Sequence, residues 1–206
     1  MQKVIIKLNG HDRHAYLRDE ADRSVFNEIF KLREYRAAED VIKNAKNAIV
    51  DVGAHAGFFS MYCRSLNEKV KIYAVEPESE NLKLLNRHLD ENKILGVKVI
   101  AGALAGETGE RELFLSSDSH NHFVIPTEIL RFTQNDNQTL NVRAFSFADF
   151  CRKNKIAKIS LLKMDIEGGE HEVFDGMSSD DFAMVNYVIL EYHGGKEYKN
   201  IAEKLR

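Results

Sequence analysis

One repeated unit constrains this chain more than anything else in it: a short apolar run, a turn bearing glycine or proline, then an amphipathic stretch. It occurs at 47–66 ("NAIVDV", then "GFFSMYCRSL") and again at 69–92 ("KVKIYAVE", then "PESENLKLLNRHLDEN"). "GVKVIAG" (96–102) supplies a third run, and the unit returns at 158–177 ("KISLLKMDI", "GGEHEVFDGM") and 185–205 ("VNYVILEY", "KEYKNIAEKL"). Near-continuous apolar strands alternating with helices are the mark of parallel strands joined by crossovers and covered on both faces. The expected fold is α/β: a doubly wound, mainly parallel sheet with helices on both faces.

The flanks read differently. "KVIIKL" (3–8), the turn "NGHD" and "HAYLRD" (14–19) form an expected hairpin. A helix is expected over 24–35, capped by Ser24, and a second short one over 37–45, both lying across the mouth of the core. "ERELFLSS" (110–117) and "QTLNVRAFS" (138–146) alternate like half-exposed strands around a long polar segment, 118–137. A connection of that length is usually functional or disordered. "FADFCRKNKI" (147–156) is a further helix. The chain is expected to be one domain over 1–206, with residues 1–45 as hairpin and helices and 46–206 as the Rossmann-like core.

A net charge of −3 with both signs interspersed gives no electrostatic footprint for nucleic acid. Cys63 and Cys151 fit no metal or redox spacing. No apolar run is long enough for a signal peptide or a membrane span, so a soluble cytoplasmic protein is expected.

In open parallel sheets, ligands bind outside the carboxyl ends of the strands. Those ends carry Asp51 with Gly53, Glu76, Gly102 with Ala103, Asp165 with Glu167, and Glu191 with His193. Glu76 stands 25 positions after Asp51, where a Rossmann-like fold sets an acid on ribose hydroxyls. Gly53 and Gly57 allow a tight turn with bare backbone N–H groups. Asp51 argues against a dinucleotide, whose pyrophosphate it would repel, and the third glycine of the dinucleotide fingerprint is absent. An ammonium group and a sulfonium suit such a site, so S-adenosyl-L-methionine is favoured over NAD.

"IVDVGAHAGFFS", "AVEPES", "AGALAGETGE", "LLKMDIEGGEHEVFDGM" and "VILEYH" together resemble the FkbM family of S-adenosylmethionine-dependent methyltransferases, a branch of the class I Rossmann-like fold. The resemblance runs from about residue 20 to 193 and is most specific at "KMDIEGGE". It implies that Asp51, Gly53, Ala54 and Gly57 surround the methionine part of the donor, with His55 and Phe58 of the same loop among the cofactor-binding residues. It also implies Glu76 on the ribose, Gly102 and Ala103 near the adenine, and Asp165 and Glu167 close to the methyl group or acceptor. His55 stands where the family usually has Asn. The chain also ends soon after its fifth strand, leaving little for the sixth and antiparallel seventh strands of such folds. The closing helix, the hairpin or a second subunit in a homodimer would then cover the sheet edge.

The expected activity is methyl transfer to a hydroxyl oxygen of a small acceptor: a sugar, glycolipid or polyketide-like molecule. Alignment supplies much of the rate in such a displacement, and a base taking the hydroxyl proton adds to it. Candidate catalytic residues are Asp165, Glu167 and His193. Lys163 lies on the face of Asp165 and neutralises it, and Tyr35 either edges the acceptor pocket or only packs. No resident metal is expected, although Asp165, Glu167, Glu191 and His193 would make a hard oxygen-rich set. The rivals are an NAD-dependent oxidoreductase and a non-catalytic domain that binds the donor or a partner.

Overall fold

The structure is a computed structural model that describes residues 1–114, the backbone of 123–125, and residues 139–166 and 168–191. The chain opens with a hairpin, β1 (Gln2–Leu8) and β2 (His11–Leu17). Asn9 and Gly10 turn it with positive φ of 49° and 79°, the pairing that fits the twist of a two-residue hairpin loop. Helix α1 (Glu20–Asn27) runs into a single π turn, Glu28–Leu32, then a 3-10 turn, Glu34–Ala38, and α2 (Glu39–Asn44).

The core follows as β3 (Ala48–Val52), α3 (Phe58–Leu66), β4 (Ile72–Glu76), α4 (Ser79–Glu91) and β5 (Val97–Ala101). A second sheet is built from β6 (Ala103–Leu104), β7 (Gly109–Phe114), β8 (Phe123–Ile125) and β9 (Thr139–Phe145). The chain then returns to the core as α5 (Phe147–Asn154), β10 (Ile159–Met164), α6 (Glu170–Asp175), α7 (Ser179–Phe182) and β11 (Val188–Leu190).

The main sheet is parallel throughout, in the order β11-β10-β3-β4-β5. Strand order therefore reverses between β3 and β10, and that switch point is where the carboxyl ends part to leave a crevice. One core layer packs Ile49, Ala74 and Leu161 against Phe58, Met61 and Leu85 of α3 and α4 and against Tyr16, Phe26 and Ile42 of the N-terminal segment. The other sets Val50, Val75, Leu162 and Met164 against Phe147, Phe150, Val173 and Phe174 of α5 and α6. The doubly wound arrangement expected from the alternating pattern is thus present.

Several boundaries moved for identifiable reasons. The first helix starts at Glu20, not at 24, because Asp19 in extended conformation accepts the Asp22 amide at 2.9 Å and caps it. Ser24 instead donates to Glu28 within the helix. Pro77 lies ahead of α4, since Glu78 caps that helix by accepting from the Glu80 and Asn81 amides. The half-exposed strands belong to the second sheet, β6-β9-β7-β8, where β7 pairs antiparallel with β9. The closing helix and the question of the last two strands fall on residues 192–206, outside the described residues.

Leu161, fully buried on the interior strand β10, is expected to show what this layering contributes. Leu161→Ala should cost about 2–5 kcal/mol in urea unfolding. Ile5→Ala, at a side chain 62% exposed, should stay within about 0.5 kcal/mol. Equal losses would contradict the assigned core.

Candidate functional site

A cavity of about 250 Å³ opens at the switch point. The loop after β3 contributes Gly53, Ala54 and His55, and the end of β4 contributes Val75 and Glu76. Gly102, Ala103 and Leu104 form a further wall, with Lys163, Asp165 and Ile166 from the end of β10. Val25, Ile29 and Tyr35 of the N-terminal segment lie over it, as expected of that segment, and Glu172 of α6 and Glu191 complete the rim.

The glycine loop is built to a close tolerance. The Gly53 and Ala54 amides both donate to Val75 O at 3.0 Å, folding the chain back over β4. Gly53 has φ +71°, and a Cβ there would lie 1.8 Å from the Asp165 carbonyl, so no other residue fits. Gly57 (φ +81°) is excluded from bearing a side chain by Leu85 Cγ, 2.8 Å from where its Cβ would stand. His55 also has positive φ, 49°. Asn and His both tolerate that region better than most residues.

Beneath the loop lies a buried ammonium. Lys163 Nζ donates to Gly53 O at 2.8 Å and stands 3.3 Å from Asp165 and 3.6 Å from Asp51. β10 and β3 set Lys163 directly beside Asp51, on the face that α3 covers. Burial alone would lower the lysine, but Asp165, Tyr35 and Asp51 outweigh it and hold it above its ordinary value. Asp51 is raised by burial, opposed by Lys163 and by the Ser60 hydroxyl, which donates to it at 2.8 Å.

Glu76 is the other buried group of the site, 4% exposed. One carboxylate oxygen accepts from the Glu78 amide (2.9 Å) and Asn81 Nδ2 (3.2 Å), the other from the His55 amide (2.8 Å). Of roughly four acceptor positions on a carboxylate, three are thus occupied by protein, and the residue still lines the cavity. A second brace comes from His88, whose Nδ1 meets Ala56 O at 2.8 Å while Nε2 accepts from the Tyr16 amide at 2.8 Å. The neutral ring thereby ties the glycine loop to the hairpin.

The cavity gathers most of the residues singled out in the sequence: Gly53, Ala54, His55, Phe58, Glu76, Gly102, Ala103, Asp165 and Glu191. Asp51 and Gly57 are not in its lining; Asp51 acts through Lys163, and Gly57 makes room for Leu85. Glu167 and His193 lie outside the described residues. Three contributors were not singled out as site residues from the sequence, although Glu170 and Glu172 lie within the quoted "LLKMDIEGGEHEVFDGM". Asn81 reaches Glu76 from α4, Glu172 accepts from the Gly106 amide at 3.2 Å, and buried Glu170 accepts from the Ile166 amide at 3.1 Å to shape the turn after β10.

Burial raises Glu76 to about 6, against the hydrogen bonds that favour its charged form. A carboxyl held above its ordinary 4.5 stabilises the fold while protonated, and that contribution disappears as pH rises from the unfolded to the folded value. The difference amounts to about 2 kcal/mol. Wild type should therefore lose about that much stability relative to Glu76→Gln between roughly pH 4.5 and 6.5, read by urea unfolding. His88, lowered by burial, acts in the opposite direction and is common to both proteins. Parallel curves would mean Glu76 is not desolvated.

Residues 51–206 match the model of the methyltransferase FkbM domain. The chain is 25% identical over 187 residues to hexuronic acid methyltransferase AglP of Haloferax volcanii, covering 86% of this chain and 72% of that protein. It is 24% identical to 31-O-demethyl-FK506 methyltransferase FkbM of Streptomyces tacrolimicus, covering 82% and 74%. A solved structure of methyltransferase FkbM from Methylobacillus flagellatus aligns with a TM-score of 0.39 and 15% identity, over 78% of this chain and 40% of that one. The family match covers the glycine loop, Glu76 and the β10 end that together build the cavity, and the chain belongs to the FkbM methyltransferase family.

Proposed function

We propose that the cavity binds S-adenosyl-L-methionine and that the chain transfers its methyl group to a hydroxyl oxygen of a small acceptor. The observation that carries this reading is Glu76: a buried carboxylate at a strand end, on the cavity wall, with acceptor capacity left for ribose hydroxyls. Gly53, Ala54 and His55 would hold the amino-acid portion, and Gly102 and Ala103 the adenine. The donor supplies an already activated methyl on a sulfonium. The chain supplies alignment, a wall that excludes water, and acids (Asp165 and Glu191) that suit a cation.

Asp51 contributes through the buried lysine rather than as a ligand, and Lys163 fixes the Gly53 carbonyl that turns the loop. Tyr35, tilted against Phe59 with ring centroids 4.7 Å apart, stands over the same cavity. Burial raises its phenol, so it remains a hydrogen-bond donor at neutral pH. Asp165, Glu167 and His193 are the proposed groups at the acceptor, one of them taking the hydroxyl proton. A hydroxyl acceptor is supported by the relative that methylates 31-O-demethyl-FK506.

Calorimetry with S-adenosylhomocysteine and with NADH tests the reading. S-adenosylhomocysteine should bind and NADH should not. Glu76→Ala should weaken that binding by about tenfold to a hundredfold, the worth of a hydrogen bond to a charged group. Because hydroxyls donate to the ionised carboxylate, wild-type affinity should rise as pH passes upward through about 6, and Glu76→Gln should remove that rise. Tight NADH binding without S-adenosylhomocysteine binding would refute the proposal.

A further inference from the structure

We infer that Asp22, on the N-terminal helix and outside the family core, is a positioning residue for the proposed donor loop, acting through His55 and Arg18. The inference rests on the donor-binding reading and adds to it a part of the chain that the family match does not include.

The geometry is a closed ring of contacts. Asp22 is fully buried, and Arg18 donates to it from its backbone amide (2.6 Å), Nε (2.9 Å) and Nη2 (2.8 Å). The same Nη2 donates to Asn81 Oδ1 at 2.7 Å, and Asn81 Nδ2 donates to Glu76 at 3.2 Å. Glu76 accepts from the His55 amide at 2.8 Å, and the His55 ring closes the circuit with Nε2 3.4 Å from Asp22 Oδ1. The five side chains come from the end of β2, α1, the glycine loop, β4 and α4.

Two features make this more than a brace for the fold. His55 holds a left-handed backbone, φ 49°, which few non-glycine residues adopt, histidine being among the more tolerant of them. The ring contact to Asp22 and the amide contact to Glu76 grip it from both ends. Two of the three protein contacts on Glu76, from the His55 amide and Asn81 Nδ2, come from members of the same ring, the third being the Glu78 amide, so the ring helps set which way the remaining acceptor position points. Arg18's hydrogen bonds, together with His55, overcome the burial that would raise Asp22 and keep it ionised. A buried charge so engaged has few alternative arrangements.

The test compares wild type with Asp22→Asn, His55→Asn, their double variant and Asn81→Ala, measuring S-adenosylhomocysteine affinity by calorimetry and apo melting temperature in parallel. Asn at position 55 tolerates the left-handed backbone, so it removes the ring contact without adding strain. Each single variant should weaken binding by about tenfold, since a charge-assisted contact is lost. The double variant should be no worse than the weaker-binding single, because both break one circuit. Should Asp22→Asn not fold, His55→Asn and Asn81→Ala carry the same expectation from the far side of the ring. Lower melting temperatures with affinities within twofold of wild type would overturn the inference and leave a purely structural brace, as would additive losses. A wild type that binds no S-adenosylhomocysteine would overturn the donor reading as well.

Discussion

The site depends on one buried ammonium. Lys163 sits where β10 and β3 lie side by side, with Asp51 at its flank, Asp165 beyond it and the Gly53 carbonyl within 2.8 Å. An isolated ammonium this deeply buried would shed its proton, and an isolated carboxylate such as Asp51 would gain one. Asp165, Tyr35 and Asp51 together keep the lysine charged, Lys163 and Ser60 oppose the burial that raises Asp51, and the ammonium ties the glycine loop to the end of β10. The switch point of the sheet is thus held open in a single shape by electrostatics as well as by strand pairing.

That arrangement explains why a carboxylate precedes the first glycine. From sequence, Asp51 argued against a phosphate ligand by standing close to it. In the fold it stands behind the loop, facing α3, and makes its argument at second hand by holding Lys163. Strand alternation decides this: Ile49 and Asp51 face the α3 side, while Val50 and Val52 face α5 and α6.

The elements of the core were legible because each strand is apolar on both faces and each helix amphipathic. The right-handed crossover rule constrains the hand of each strand–helix–strand connection, whereas the order β11-β10-β3-β4-β5 is seen only in the structure. Glu76, Gly53 and Asp165 were legible because strand ends in such sheets are the places where a ligand is met. What was not legible depends on contacts between segments far apart in sequence. Asp22 falls ahead of the helix expected from sequence, and only the folding of α1 against the glycine loop makes it a fully buried partner for His55 and Arg18. Asn81 and Glu170 are likewise polar residues on helices, and no periodicity marks which of those turn inward.

The helix that begins at Glu20 instead of Ser24 is the same lesson at a smaller scale. Apolar spacing located the buried stripe of α1 but not its start, because a cap is a hydrogen-bonding event. Moving the start to Asp19 brings Asp22 into the first turn, within reach of the Arg18 amide and guanidinium. A helix capped at Ser24, five residues later, would leave Asp22 in the connection and open the circuit to Glu76. The cap of an N-terminal helix and the orientation of a carboxylate more than fifty positions away are therefore one structural decision. His55 is the link between them.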